Sequence, residues 1–200
     1  MLIGISGKMG AGKDTLGDIL CNLEPAYEVK RFADKLKMIA SLLSGISVER
    51  FESQDFKQFN MPSVWNRHKS PTTAYGDQRI KMTVREFLQK LGTEAMRDNL
   101  HEDVWVNALF ADYKERYFGS KSMPNWVITD VRFPNEANAI INRGGIMVRI
   151  NRDNTSGVSK DHSSETALDN WTGFSYEIDN NGTIEDLILH AECILKLECL

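Results

Sequence analysis

The stretch GISGKMGAGKDT, running from Gly4 to Thr15, constrains this chain more than any other part of it. Gly7 to Lys13 keeps the spacing G-x-x-x-x-G-K of a phosphate-binding loop. In such a loop the glycines let backbone N–H groups turn inward around phosphate oxygens, and the lysine reaches the outer phosphates. The loop follows an apolar run, Leu2 to Ser6, and opens an amphipathic stretch, Asp14 to Leu23. Strand, glycine loop and helix in that order aim the positive end of the helix at a bound anion.

Asp14 stands where a magnesium-binding hydroxyl usually follows the lysine. Magnesium keeps several of its waters, so a carboxylate here could accept hydrogen bonds from metal-bound water while Thr15 offers its hydroxyl to the phosphates. An acid is also favourable in the first turn of any helix, and the two readings are compatible. Gly10, Ala11, Gly12, Lys13, Asp14 and Thr15 are therefore the candidate nucleotide-binding residues, with Asp14 and Thr15 also candidates for the metal site.

Beyond the loop, strands and helices alternate. Tyr27 to Phe32 reads as a second strand, and Ala33 to Leu43 as a helix with Leu36, Ile39, Ala40 and Leu43 at helical spacing. Residues 51–77 are polar, aromatic and without a clean period, and read as an irregular insertion. Thr83 and Glu86 have the spacing of a capping box for a helix from Val84 to Arg97, with Phe87, Leu88, Leu91 and Ala95 toward the core. A helix from about Glu102 to Tyr117 follows. Asn125 to Asp130 is an apolar run ending in an acid, which suits a strand covered on both faces. Asn135 to Arg143 reads as helix, Gly145 to Ile150 and Tyr176 to Asp179 as strands, and Ile184 to Leu197 as the closing helix. The expectation is one α/β domain over residues 1–200, a doubly wound parallel sheet, with an insertion at about 45–120 and a lid at about 151–166.

Composition narrows the partners. With 42% hydrophobic and 26% charged residues, 200 residues can bury a sizeable core. A net charge of -4 gives no basic excess for a nucleic-acid backbone, and small anionic ligands with magnesium fit better. No apolar run approaches the ~20 residues of a membrane-spanning helix, and the N-terminus lacks the basic region of a signal peptide, so a cytoplasmic protein is expected. Cys21, Cys193 and Cys199 lack metal-site spacing and read as buried reduced thiols.

Several acids and bases fall where a parallel sheet gathers ligands, at the carboxyl ends of its strands. Asp130 could orient magnesium waters or cap a turn, and Arg132 could meet a phosphate or lie in a surface ion pair. Asp34 could position or deprotonate an acceptor phosphate, ligate metal through water, or cap a helix starting near Lys35. Arg152 opens the segment with lid character, which includes His162 and Glu165. Phe56, Phe59, Trp65 and Tyr75 could stack on a base or pack together, and Trp105 and Trp171 read as core or interface residues. His68, His101 and His190 carry no catalytic arrangement, and His162 has no second metal ligand at suitable spacing.

Taken in order, GKMGAGKDT, RFADKLK, LQKLGTEAMRDNLHEDVWV, WVITDVRFPNEA and HSSETAL resemble the deoxynucleoside monophosphate kinases of phages and bacteria over nearly the whole chain. Adenylate-kinase-like enzymes likewise lack the first hydroxyl and carry a threonine one position later. The resemblance implies a P-loop NTPase core of the nucleoside monophosphate kinase type with a helical substrate-binding insertion. It implies transfer of the γ-phosphoryl of ATP, with Mg2+, to a deoxynucleoside monophosphate, in the host cytoplasm if phage-encoded. It puts Lys13 and Thr15 on nucleotide phosphates, and Asp34, Lys35, Gln89, Arg97 and Arg132 on the substrate side. Lys13, Asp34 and Arg132 are the candidate catalytic residues, Arg152 a further donor-side cation, and Asp14, Thr15 and Asp130 the metal-site candidates. No nucleic-acid or membrane partner is expected, and a homodimer is left open. The alternatives are a phosphomevalonate-kinase-like enzyme, which can share the G-K-D loop, an ATP-driven nucleic-acid machine, and an ATP-binding module without transfer.

Overall fold

The computed structural model describes residues 1–68, 79–114, 123–153 and 166–197. In chain order its main elements are β1 (Leu2–Ser6), α1 (Lys13–Leu23), β2 (Tyr27–Lys30), α2 (Phe32–Ser44), α3 (Val48–Glu52), α4 (Val84–Gln89), a π-helix (Lys90–Arg97), α5 (Val104–Phe110), β3 (Asn125–Ile128), α6 (Pro134–Ile141), β4 (Ile146–Asn151), β5 (Tyr176–Asp179) and α7 (Ile184–Leu197). They form two compact units, one of Met1–Phe32 with Val106–Leu200 and one of Ala33–Trp105.

The first unit is a five-stranded sheet in the order β2-β3-β1-β4-β5, with every pairing parallel. The central strand, β1, is buried along its whole length, as its uninterrupted apolar sequence requires when both faces are covered. Ile3 and Ile5 point to one face of the sheet and Gly4, between them, to the other. The isoleucines join Val127, Val148, Ile150 and Ile178, under Leu16 and Leu20 of α1 and Leu187, Ala191 and Ile194 of α7. A Cβ on Gly4 would run into Met147 and Ile140, so glycine is what lets α6 settle on the other face. Each fully buried Leu or Ile in this core is worth about 1.5–3 kcal/mol.

In the second unit, Ala40, Phe51, Met61, Met82, Val84 and Phe87 make a separate core. The Thr83 hydroxyl caps α4 by accepting from the Glu86 amide at 3.1 Å. The Glu86 carboxylate is taken by Arg67 at 2.7 Å, so the pair works as a one-sided cap. Trp65 stands edge-on to Phe87 with ring centroids 4.8 Å apart, and Phe56 meets both Phe51 and Phe59. Among the insertion's aromatics these contacts favour packing, while Phe59 remains 63% exposed and Tyr75 lies outside the described residues.

Several expectations need correction, among them the helix expected from about Glu102 to Tyr117, which ends at Phe110, and the strand expected through Phe32, which ends at Lys30. The segment 51–77 is not wholly irregular: α3 ends in it, two 3-10 turns follow (Phe56–Gln58 and Ser63–Trp65), and Arg67–His68 pairs antiparallel with Arg79–Ile80. The helix expected through Arg97 becomes a π-helix at Lys90, shown by the Asp98 amide bonding the Thr93 carbonyl five residues back at 2.9 Å. The wider turn shifts the side-chain phase, leaving Ala95 exposed and burying Gly92, against which Leu36 packs. On α2, Leu43 is 53% exposed and Lys37 is buried in its place. Cys193 is exposed and Cys21 half-buried, so neither is the buried thiol expected, and Cys199 lies outside the described residues. Of the two tryptophans assigned to core or interface, Trp105 is buried, and Trp171 is half-buried against Phe174.

Candidate active site

Because β1 is flanked by β3 and β4, the loop after it opens at the carboxyl edge between the ends of those two strands. Gly4 lies beside Ile128 and Ser6 beside Arg149, which puts Asp130 on one side of the loop and Arg149 on the other. Gly10 (φ 81°) and Gly12 (φ 103°) are both left-handed, a conformation that costs a residue with a Cβ about 1–2 kcal/mol. These turns curl the chain around Lys13, whose ammonium donates to the carbonyls of Gly7 at 2.7 Å and Lys8 at 2.8 Å. Gly12 caps α1, and Ala11 is fully buried beneath the loop.

Asp14 and Thr15 follow in the first turn of α1, both exposed. The Asp14 Oδ1 accepts from Arg31 Nη2 at 3.0 Å and from the Thr129 hydroxyl at 2.9 Å. Burial pushes this carboxyl up, but the hydrogen bonds from Arg31 and Thr129 and the charges of Arg31 and Lys13 outweigh it and hold the group below the usual carboxylate range. Neither partner was legible beforehand, since Arg31 and Thr129 come from the ends of two other strands. Asp14 Oδ2 takes no partner among the described residues, and the side chain is 68% exposed. An ionised, half-engaged carboxylate beside the lysine, with Thr15 one residue on, is a donor set suited to water-mediated magnesium.

Asp130 accepts from the Phe32 amide at 2.8 Å, tying the end of β3 to the start of α2. Arg132 is exposed two residues later, and its amide donates to Glu136 Oε2 at 2.8 Å, with the Phe133 amide at 3.1 Å. Glu136 is only 3% exposed, so a buried carboxylate shapes the turn that presents Arg132. The sequence reading missed Glu136. Its signal was the run Phe133-Pro-Asn-Glu136, with proline at the first helical position. Asn180 was missed too. It leaves the end of β5 and donates from Nδ2 to the Ala11 carbonyl at 2.8 Å, bracing the loop from the far side of β4.

Arg152 is exposed just past β4, and the rest of the segment read as a lid, residues 154–165 with His162 and Glu165, lies outside the described residues. Asp169, which follows it, accepts from Lys8 and Arg149. Burial raises its carboxyl, and the two cations more than compensate, holding it below the usual range.

Of the residues expected on the substrate side, Asp34, Lys35, Gln89 and Arg97 belong to the second unit and Arg132 to the first. Asp34 and Lys35 lie in the first turn of α2, which begins at Phe32, so Asp34 sits inside the helix rather than capping it. Lys37, one turn on, pairs with Glu52 at 2.8 Å and Asp34 at 3.5 Å. Gln89 and Arg97 bracket the π-helix, and Arg97 Nη1 donates to the Glu102 carbonyl at 3.3 Å. Trp105 Nε1 fixes the π-helix through the Gly92 carbonyl at 2.9 Å.

The family profile described as Deoxynucleotide monophosphate kinase matches residues 40–190. The chain belongs to the deoxynucleotide monophosphate kinase family. It is 30% identical, over 93% of its length and 91% of the other protein, to a protein of Acanthamoeba polyphaga mimivirus named a deoxynucleotide monophosphate kinase. It is 23% identical to the deoxynucleoside-5'-monophosphate kinase of Escherichia phage T5, covering 84% and 85% of the two chains. Among solved structures it is similar to a shikimate kinase from Bacteroides thetaiotaomicron, with a TM-score of 0.50, 14% identity and 98% of each chain covered. That likeness speaks for the fold, a P-loop α/β kinase core, and this member of the deoxynucleotide monophosphate kinase family has the parallel sheet and the loop that go with it. Among the described residues no helix is long and apolar enough to cross a membrane.

Proposed function

We propose that the protein transfers the γ-phosphoryl group of ATP, with magnesium, to a deoxynucleoside monophosphate, giving ADP and the deoxynucleoside diphosphate. The observation that carries this reading is the Lys13 ammonium enclosed by a loop with two left-handed glycines, in a chain of this family. Phosphoryl transfer asks little covalent help of a protein and depends on alignment and on cations that spread the charge of the transferred group. Lys13 is the central cation and leaves the Gly7 and Lys8 carbonyls for phosphate oxygens. The amides around Gly10, Ala11 and Gly12 line the phosphates, with the hydroxyl of Thr15 beside them. Arg132 and Arg152 add charge as the transfer proceeds. Magnesium supplies neutralisation of the phosphates when bound, and Asp14 and Asp130 are the residues to hold it through its waters. On the substrate side Asp34, Lys35, Gln89 and Arg97 bind and orient the monophosphate, with Asp34 taking the proton or fixing the attacking oxygen. A net charge of -4 suits a small anionic substrate in the cytoplasm better than a nucleic acid.

The test separates the two sides. ATP affinity and acceptor kinetics are measured for Asp34→Ala and Arg97→Ala, both expected to raise the acceptor KM or lower kcat while leaving ATP affinity within about twofold. A large loss of ATP affinity with an unchanged acceptor KM would reverse the assignment.

A further inference from the structure

Lys8, in the second position of the loop, has no role in the mechanism above, yet the structure gives its ammonium a bidentate ion pair with Asp169, 2.7 Å to Oδ1 and 2.8 Å to Oδ2. The same Oδ1 accepts from Arg149 Nη2 at 3.0 Å. The arginine is the fixed member of this trio. Its side chain is 14% exposed, Nη1 donates to the Leu168 carbonyl at 3.3 Å, and the guanidinium lies 5.4 Å from the centre of the Phe174 ring. Lys8 is the movable member, 36% exposed on a flexible four-carbon stem. Its backbone already belongs to the phosphate loop, since its carbonyl accepts from Lys13 at 2.8 Å.

We propose that Lys8 is a further phosphate-binding cation of the donor site, held in reserve by Asp169, with Arg149 as the anchor that fixes Asp169. The inference rests on the donor-site reading. Exchanging partners costs little, because an exposed ion pair is worth only ~0–1 kcal/mol and a triphosphate offers Lys8 a more highly charged anion. Asp169 is not left unpaired by the exchange, because Arg149 stays with it. The price is a weaker apparent affinity, since part of the protein holds Lys8 away from the ligand. Asp169 is thus a positioning residue, and Lys8 a binding residue.

The two substitutions that break this pair must then act in opposite directions, which a purely structural clamp would not do. The measurement is calorimetric titration of inorganic tripolyphosphate with magnesium into the wild type, Asp169→Asn, Lys8→Gln, the double variant and Lys13→Ala, each with its melting curve. Asp169→Asn should bind about fivefold more tightly, the most that a pair worth ~1 kcal/mol can hold back, and Lys8→Gln several-fold more weakly. In the Lys8→Gln background the gain from Asp169→Asn should shrink to about twofold or less. Equal or weaker binding by Asp169→Asn overturns the proposal, as does a full gain that persists without Lys8, which would mark simple charge repulsion. Lys13-dependent binding that ignores Asp169 refutes this inference and leaves the donor site standing. No tripolyphosphate binding by the wild type refutes both.

Discussion

Gly12→Ala is the perturbation whose cost can be worked most fully from the structure. A Cβ at φ 103° loses about 1–2 kcal/mol to left-handed strain. The same Cβ would stand 2.5 Å from Nδ2 of Asn180, so that amide must move and give up its 2.8 Å bond to the Ala11 carbonyl, worth about 1 kcal/mol. The sum, about 2–3 kcal/mol, corresponds to a fall in Tm of roughly 4–12 °C for a chain of 200 residues. Asn180→Ala alone should cost about 1 kcal/mol, the lost bond. In the double variant that bond can be lost only once, so Asn180→Ala should add almost nothing to Gly12→Ala, a coupling of about 1 kcal/mol. Thermal melts of the four proteins followed by circular dichroism read all of this. Additive shifts, or a Gly12→Ala protein as stable as the wild type, would refute the reasoning that Asn180 braces the loop through a space only glycine leaves open.

Other consequences can be checked with the same proteins and a transfer assay. Lys13→Ala should lower transfer by about 10²-fold or more with Tm within a few degrees of wild type, because its carbonyl contacts stabilise little while its charge acts on the reacting phosphates. Trp105→Phe leaves the buried Gly92 carbonyl without its indole donor and should cost about 1–2 kcal/mol in urea melts; a change near zero would mean the π-helix does not depend on that bond. Asp169 has a folded pKa below its unfolded value, so its contribution to stability is present above the ordinary carboxylate range and is lost as pH falls through the lowered folded value. Tm measured against pH should therefore fall less steeply on the acid side in Asp169→Asn than in the wild type, and identical slopes would contradict the ion pairs.

The order of strands and helices was legible because hydrophobic periodicity and the loop glycines are local signals. The β5 and α7 boundaries, Tyr176–Asp179 and Ile184–Leu197, coincide with their sequence ranges for that reason. What escaped depends on tertiary partners. The Trp105 indole reaches into the π-helix at Lys90–Arg97 to hold the Gly92 carbonyl, and no spacing in LGTEAMR announces it. Nothing in the helical spacing singles out Lys37, whose burial depends on Glu52, from another helix, taking its ammonium. Asp14 was recognised as the odd residue of the loop, but its partners Arg31 and Thr129 come from the ends of β2 and β3, which only the sheet order brings alongside.

The most direct test of the account is a coupled assay with ATP, magnesium and a panel of deoxyribo- and ribonucleoside monophosphates, with the nucleotides resolved by chromatography. The account expects ADP and a deoxynucleoside diphosphate to accumulate one for one, with no ADP formed when the monophosphate is omitted and its formation by Lys13→Ala slower by about 10²-fold or more. ADP released at the same rate without an acceptor, or no monophosphate phosphorylated at all, would contradict it.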